Sequence, residues 1–113
     1  HMFEELETTC DRVALINDGH IVDVADMNDI RHRPVKDLKI EFNNTADYKR
    51  FQKAGYEIVR LQDEYDQATI RIAVGRTGEL LKTLTGYDVK FISELPYTLE
   101  KHFKQILIGK KGE

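Results

Sequence analysis

Apolar and polar residues change period several times along this chain, and each change marks an element. Phe3, Leu6 and Cys10 recur at helical spacing with Glu4, Glu5 and Glu7 between them, so a short acidic helix is predicted first. Arg12-Val-Ala-Leu-Ile16 follows as an apolar run of strand length, the kind buried on both faces of a sheet. Asn17-Asp18-Gly19-His20 is a tight-turn sequence, because Gly and Asp accept positive φ, and Ile21-Val-Asp-Val24 pairs back from it. Asp26 to Ile30 reads as one helical turn, and Arg31-His-Arg-Pro34 breaks regularity, since proline disfavours helix in the residue before it.

Beyond Pro34 the alternation is cleaner. Leu38, Ile40 and Phe42 alternate with Lys39 and Glu41, a half-buried strand. Asn44 and Thr45 open a helix that places Tyr48 and Phe51 on one face and stops at Gly55. Tyr56 to Leu61 makes a second strand, Asp63-Glu-Tyr-Asp66 a turn, and Ala68, Ile70, Ile72 and Val74 a third strand. A helix from Thr77 to Leu84 is expected to bury Leu80, Leu81 and Leu84, with Gly86 closing it. Val89, Phe91 and Leu95 form the last strand with Lys90 facing out, ended by Pro96. Leu99, Phe103, Ile106 and Leu107 then give a final helix one apolar stripe.

The expected class is α+β. Strand, helix, strand, strand, helix, strand is the split βαβ order of a ferredoxin-like sheet, here with an extra C-terminal helix and a preceding helix–strand–turn–strand segment. The expected organisation is residues 1–25 as a first piece, 26–35 as linker and 36–113 as the sheet domain.

Composition narrows the class. The chain has 113 residues with formal net charge −3 and 33% charged side chains. That balance gives no basic face of the kind nucleic-acid modules present, so no nucleic-acid partner is expected. One cysteine, Cys10, excludes an internal disulfide and a cysteine metal cluster. No apolar run approaches membrane-span length and no secretory signal is visible, which gives a cytoplasmic expectation.

Candidate chemistry is sparse. His20, His32 and His102 fall in a turn, the linker and a helix, none with a second ligand at metal-binding spacing. Asp63, Glu64 and Asp66 crowd one turn, where aspartate is common for local hydrogen bonding. Tyr48, Phe51 and Phe91 could stack on bases but lie on apolar sides of their elements and read as core. Gly75-Arg-Thr-Gly78 is too short for a nucleotide fingerprint. No nucleophile–base pair is visible.

The first quarter of the chain resembles the end of the ATP-binding subunit of ABC transporters. In that family a switch-loop histidine precedes a short acidic helix, a Cys/Ala-Asp-Arg-Val/Ile segment, an apolar strand, an Asp-Gly turn and an Ile/Val strand. The matching residues are His1, Glu4, Glu5, Glu7, Cys10, Asp11, Arg12, Val13, Asp18, Gly19, Ile21 and Val22. The C-terminal half resembles the small ferredoxin-like extension found after the nucleotide domain in exporters of the drug and lantibiotic type. Its usual ending, Pro-Ser/Thr-Leu-Glu-x-x-Phe, is matched by Pro96-Tyr-Thr98-Leu99-Glu100-Lys-His-Phe103, with Tyr97 one residue over the usual spacing.

The resemblance implies a non-catalytic C-terminal accessory or regulatory domain. It would support dimerisation of the transporter ATPase or its coupling to the membrane subunit. Its partners would be its own nucleotide-binding domain, a second copy and the membrane subunit, at a cytoplasmic site peripheral to the membrane. The alternative is a small-ligand-sensing ferredoxin-like module. His1 falls at the switch histidine, a role meaningful only in the intact parent. His-Met is equally a common expression-tag scar, and the resemblance rests on Phe3 to Val22. The phosphate-binding loop, the Leu-Ser-Gly-Gly signature and the magnesium-holding aspartate–glutamate pair are absent. No cofactor is therefore expected for the chain itself, with ATP and magnesium belonging to the parent, and no enzymatic activity. The apolar edge strand should also drive self-association through residues 3 to 24.

Overall fold

Asp18 and Gly19 both take positive φ, 53° and 77°, as a two-residue type I′ hairpin turn requires. The turn joins β1 (Arg12–Asn17) to β2 (His20–Asp26) in a two-stranded antiparallel sheet. The structure, a computed structural model, describes residues 2–111, and His1 lies outside them. Among these residues the fold is mixed α+β, with two antiparallel sheets and five helices.

The chain divides into two compact units. The first takes residues up to Arg33 and those from Tyr97 onward. It holds α1 (Met2–Thr9), the hairpin, α2 (Met27–Arg31) and α5 (Leu99–Lys111). Its core is Ala25, Met27, Ile30, Leu99 and Phe103, with Phe3, Leu6, Val13, Leu15 and Ile106 packed around it. Phe3 and Phe103 meet with ring centroids 6.1 Å apart. Polar contacts fix the helix ends. The Glu7 carboxylate accepts from the backbone N–H of Leu99 at 2.5 Å, and Thr98 Oγ1 accepts from the N–H of Lys101 at 3.2 Å. Both satisfy donors that the first turn of α5 leaves without a helical partner. Asp26 does the same for α2, accepting from the N–H of Asn28 at 2.9 Å.

This differs from the expected division. Residues 26–35 were expected to link two domains, yet Met27 and Ile30 are core residues of the first unit. The five-residue α2 is too short to display a period, so its two buried positions read as part of a polar stretch. The final helix was expected within a sheet domain spanning 36–113. Its stripe instead packs on the hairpin, α1 and α2, and the sheet unit runs from Pro34 to Pro96.

The second unit holds β3 (Val35–Phe42), α3 (Thr45–Phe51), β4 (Glu57–Gln62), β5 (Gln67–Ala73), α4 (Thr77–Leu84) and β6 (Val89–Leu95). Its strands run β4-β5-β3-β6, each antiparallel to its neighbours. Leu38, Ile40 and Phe42 on β3 and Ala68, Ile70 and Ile72 on β5 face Tyr48, Phe51, Leu80 and Leu84 from the two helices. Asn44 Oδ1 caps α3 by accepting from the N–H of Asp47 at 2.7 Å. Gly55, at φ 97°, makes the left-handed turn after it.

Three apolar positions depart from expectation. Val74, read as the last apolar residue of the third strand, lies past β5 in a single 3-10 turn, Val74–Arg76, and is 49% exposed. Leu81 is 50% exposed. Leu80 and Leu84 lie four residues apart on the buried side of α4, and Leu81 is turned away by about 100° from Leu80. Phe91 is also exposed, because the register shifts between Glu41 and Phe42. Val89 pairs with Phe42 while Phe91 pairs with Glu41, so the extra residue, Lys90, breaks the period of two and sends Phe91 to the polar face.

Candidate functional site

A register break in β2 builds the most chemically varied cluster of the first unit. Leu15 pairs with Asp23, but Ile16 pairs with Ile21, so Val22 is the bulged residue. Counted from the turn, the bulge shifts the alternation by one, so that Asp23 and Ala25, which share a face, both point toward α5. There Asp23 Oδ2 lies 3.0 Å from Nε2 of His102. The other ring nitrogen, Nδ1, is 2.9 Å from the Tyr97 hydroxyl, which donates to Gln105 Oε1 at 3.4 Å. The Arg33 guanidinium stacks 3.6 Å from the centre of the Tyr97 ring, a cation–π contact. Asp23, Arg33, Tyr97 and His102, with Val24, Ala25, Asp26, Asp29 and Ile30, line an open cleft of about 310 Å³.

An aspartate that orients a histidine supplies two of the three members of a hydrolytic triad. Here the arrangement has another use. Both nitrogens of His102 are engaged, one by a carboxylate and one by a phenol, so the ring presents no free base to the cleft. The Asp23–His102–Tyr97 chain fastens α5 to β2. Asp23 and His102 are 79 residues apart in sequence, and no local pattern joins them. Among the described residues no three His, Cys, Asp or Glu side chains converge as a metal site. No helix there is long and apolar enough to cross a membrane.

The remaining candidate residues are tied into their own elements. His20 ends the hairpin turn opposite Asn17, and His32 Nδ1 lies 3.0 Å from the Asn28 carbonyl at the end of α2. The acidic turn of the second unit is a clamp. Asp63 accepts from the Tyr48 hydroxyl at 2.5 Å, and Asp66 accepts from Thr45 Oγ1 at 3.1 Å. Burial first, and the Asp63 carboxylate second, push the Tyr48 phenol up to about 12. Tyr48 and Phe51 are buried in the core. In the Gly75–Gly78 turn, Arg76 Nε pairs with Glu79 at 2.6 Å and Thr77 Oγ1 donates to the Val74 carbonyl. That turn spends its polar side chains on itself.

The second distinctive surface is the outer side of the hairpin. Val13 and Leu15 point into the core, but Ile16, Ile21 and Val24 are 64%, 67% and 55% exposed, with exposed Ala14 between them. Ala14 pairs directly with Val24 and Ile16 with Ile21, so the four form one apolar patch. Contiguous exposed apolar neighbours of this kind often mark a contact surface. Comparison with family models and with curated proteins yields no match to this chain.

Proposed function

We propose that this chain is the C-terminal accessory part of an ABC transporter ATP-binding subunit. Residues up to Asp26 would close the nucleotide-binding domain, and Pro34–Pro96 would form a ferredoxin-like regulatory unit. The observation that carries the reading is the hairpin, which is apolar on both faces. One face packs on its own helices, and the other exposes Ile16, Ile21 and Val24. A strand of that composition suits a sheet covered on both sides, which is the place the resemblance assigns to it. The strand order β4-β5-β3-β6, with α3 and α4 as the two crossovers, supports the ferredoxin-like reading of the second unit.

The role that follows is mechanical. The chain lacks the loop, lysine and acidic pair that handle phosphate and magnesium, so ATP chemistry would belong to the parent. The accessory unit would steady the paired ATPase or couple it to the membrane subunit. The test must spare α5, because Leu99 and Phe103 belong to the core beneath the hairpin. Arg33 stacks on Tyr97, so a short Gly–Ser linker can replace Pro34–Pro96. In the parent that exchange should leave ATP binding intact while lowering dimerisation or transport-coupled turnover. Normal dimerisation and transport after the exchange refute the reading.

A small-ligand-sensing module is the second reading. The cleft of about 310 Å³ between β2, α2 and α5 favours a ligand site, but one in the first unit and not in the ferredoxin-like unit where that reading places it. Thermal-shift measurements against common metabolites test it, and the absence of any stabilising compound removes it.

A further inference from the structure

Strand β1 pairs with β2 alone among the described residues, so its second edge has no strand beside it. Such an edge templates the addition of another strand unless a proline, a bulge or a central charge blunts it. β1 has none of these. Its residues are Arg-Val-Ala-Leu-Ile-Asn, and the bulge of the hairpin falls on β2 at Val22. The charged residues stand at its two ends, Arg12 at the start and Asp18 just past the finish. Both are exposed, and neither side chain has an ion-pair or hydrogen-bond partner among the described residues.

We propose that β1 pairs antiparallel with β1 of a second copy about a two-fold axis at Leu15, making one continuous sheet β2-β1-β1-β2. The axis follows from two requirements. Residues facing each other across antiparallel strands must lie on the same sheet face, which allows an axis at Ala14 or Leu15 but not between them. An axis at Ala14 sets Arg12 against Ile16 and leaves both charges unmatched. An axis at Leu15 brings Arg12 to the end of the second copy's β1, beside Asp18 at the first position of its turn, twice per dimer, with Ala14 against Ile16 and Leu15 against Leu15. The hairpin register then completes the outer face. Val24, Ala14, and Ile16 and Ile21 of the second copy fall in one unbroken apolar row. The strand is therefore self-complementary in charge and in apolar pattern, which singles out a second copy as the occupant of the edge. The pairing stands apart from the transporter reading and can hold or fail without it.

Sedimentation equilibrium of the full chain, from micromolar to near-millimolar concentration, tests it. A monomer–dimer equilibrium is expected. R12E sets like charges together at both ends and should weaken the dimer about tenfold, with unchanged far-ultraviolet circular dichroism. D18K should weaken it similarly. The double variant R12E/D18K restores both charge pairs in reverse and should dimerise more tightly than D18K alone, a comparison in which any strain at the turn cancels. I16K, a lysine on the edge, should abolish the dimer. A chain that stays monomeric throughout overturns the proposal and leaves the edge to a different partner. A dimer indifferent to R12E and I16K overturns it as well.

Discussion

Replacing Phe103 with alanine probes the packing that makes the two ends of this chain one unit. Phe103 is 2% exposed and touches Phe3 on α1, and it shares a core with Met27, Ile30 and Leu99. Deleting a buried phenylalanine ring costs about 3–5 kcal/mol, the lost transfer energy plus the cavity left behind. The unit has only about fifty residues, a size at which folded stability is small. A loss of that magnitude should therefore unfold the first unit and leave the second, whose core holds none of these residues. Hydrogen exchange read by mass spectrometry separates the two. In the variant, amides of β1, β2 and α5 should exchange near the unfolded rate, while those of β3 and β5 keep their protection. Full protection of β1 and β2 in Phe103→Ala would refute the idea that α5 is a core element of this unit. Equal loss in both units would refute their separate cores.

Three further outcomes follow from individual contacts. Leu80→Ala should cost about 2–5 kcal/mol in urea denaturation, whereas Leu81→Ala, at an exposed neighbouring position, should stay within about 0.5 kcal/mol. Tyr48 ionises more reluctantly in the fold, at about 12 against an ordinary 10, so its contribution is complete below pH 10 and is lost as pH rises through about 12. Tyr48→Phe should lower stability by about 1 kcal/mol at neutral pH through the lost hydrogen bond to Asp63. It should also flatten the alkaline limb, read as melting temperature against pH. The backbone N–H of Asp88, and then Arg50, hold the Asp47 carboxyl below its ordinary 3.8. Its contribution is therefore present above that value and lost as pH falls through the folded one. Asp47→Asn should reduce the acid sensitivity of the second unit in the same melting series.

Several elements were legible in the sequence because one local rule decided each. The alternation from Ala68 through Val74 marks a strand, and β5 occupies Gln67–Ala73, with Val74 falling one residue past its end. Asn17 to His20 carries its own turn chemistry, and Asn44 caps α3 as its residue type suggests. What could not be read depended on partners. The bulge that exposes Phe91 is a property of the β3–β6 pairing, not of β6 alone. α2 is buried because α5 returns to cover Met27 and Ile30, a contact between segments separated by the whole second unit. The Asp23–His102–Tyr97 chain depends on that same return and on the Val22 bulge, so His102 read only as a lone helical histidine, Tyr97 only as an extra residue before the last helix, and Asp23 as one position of a strand. The resemblance that assigns His1 a switch role concerns a residue outside those described.

The transporter reading turns on what covers Ile16, Ile21 and Val24. Hydroxyl-radical footprinting of these side chains, in the free chain and in a fusion behind an ABC nucleotide-binding domain truncated at its switch loop, measures that cover directly. The account predicts strong oxidation of all three at dilute, monomeric concentration and deep protection in the fusion, together with ATPase activity that the truncated domain alone lacks. Equal oxidation in both, with no gain in activity, would contradict it.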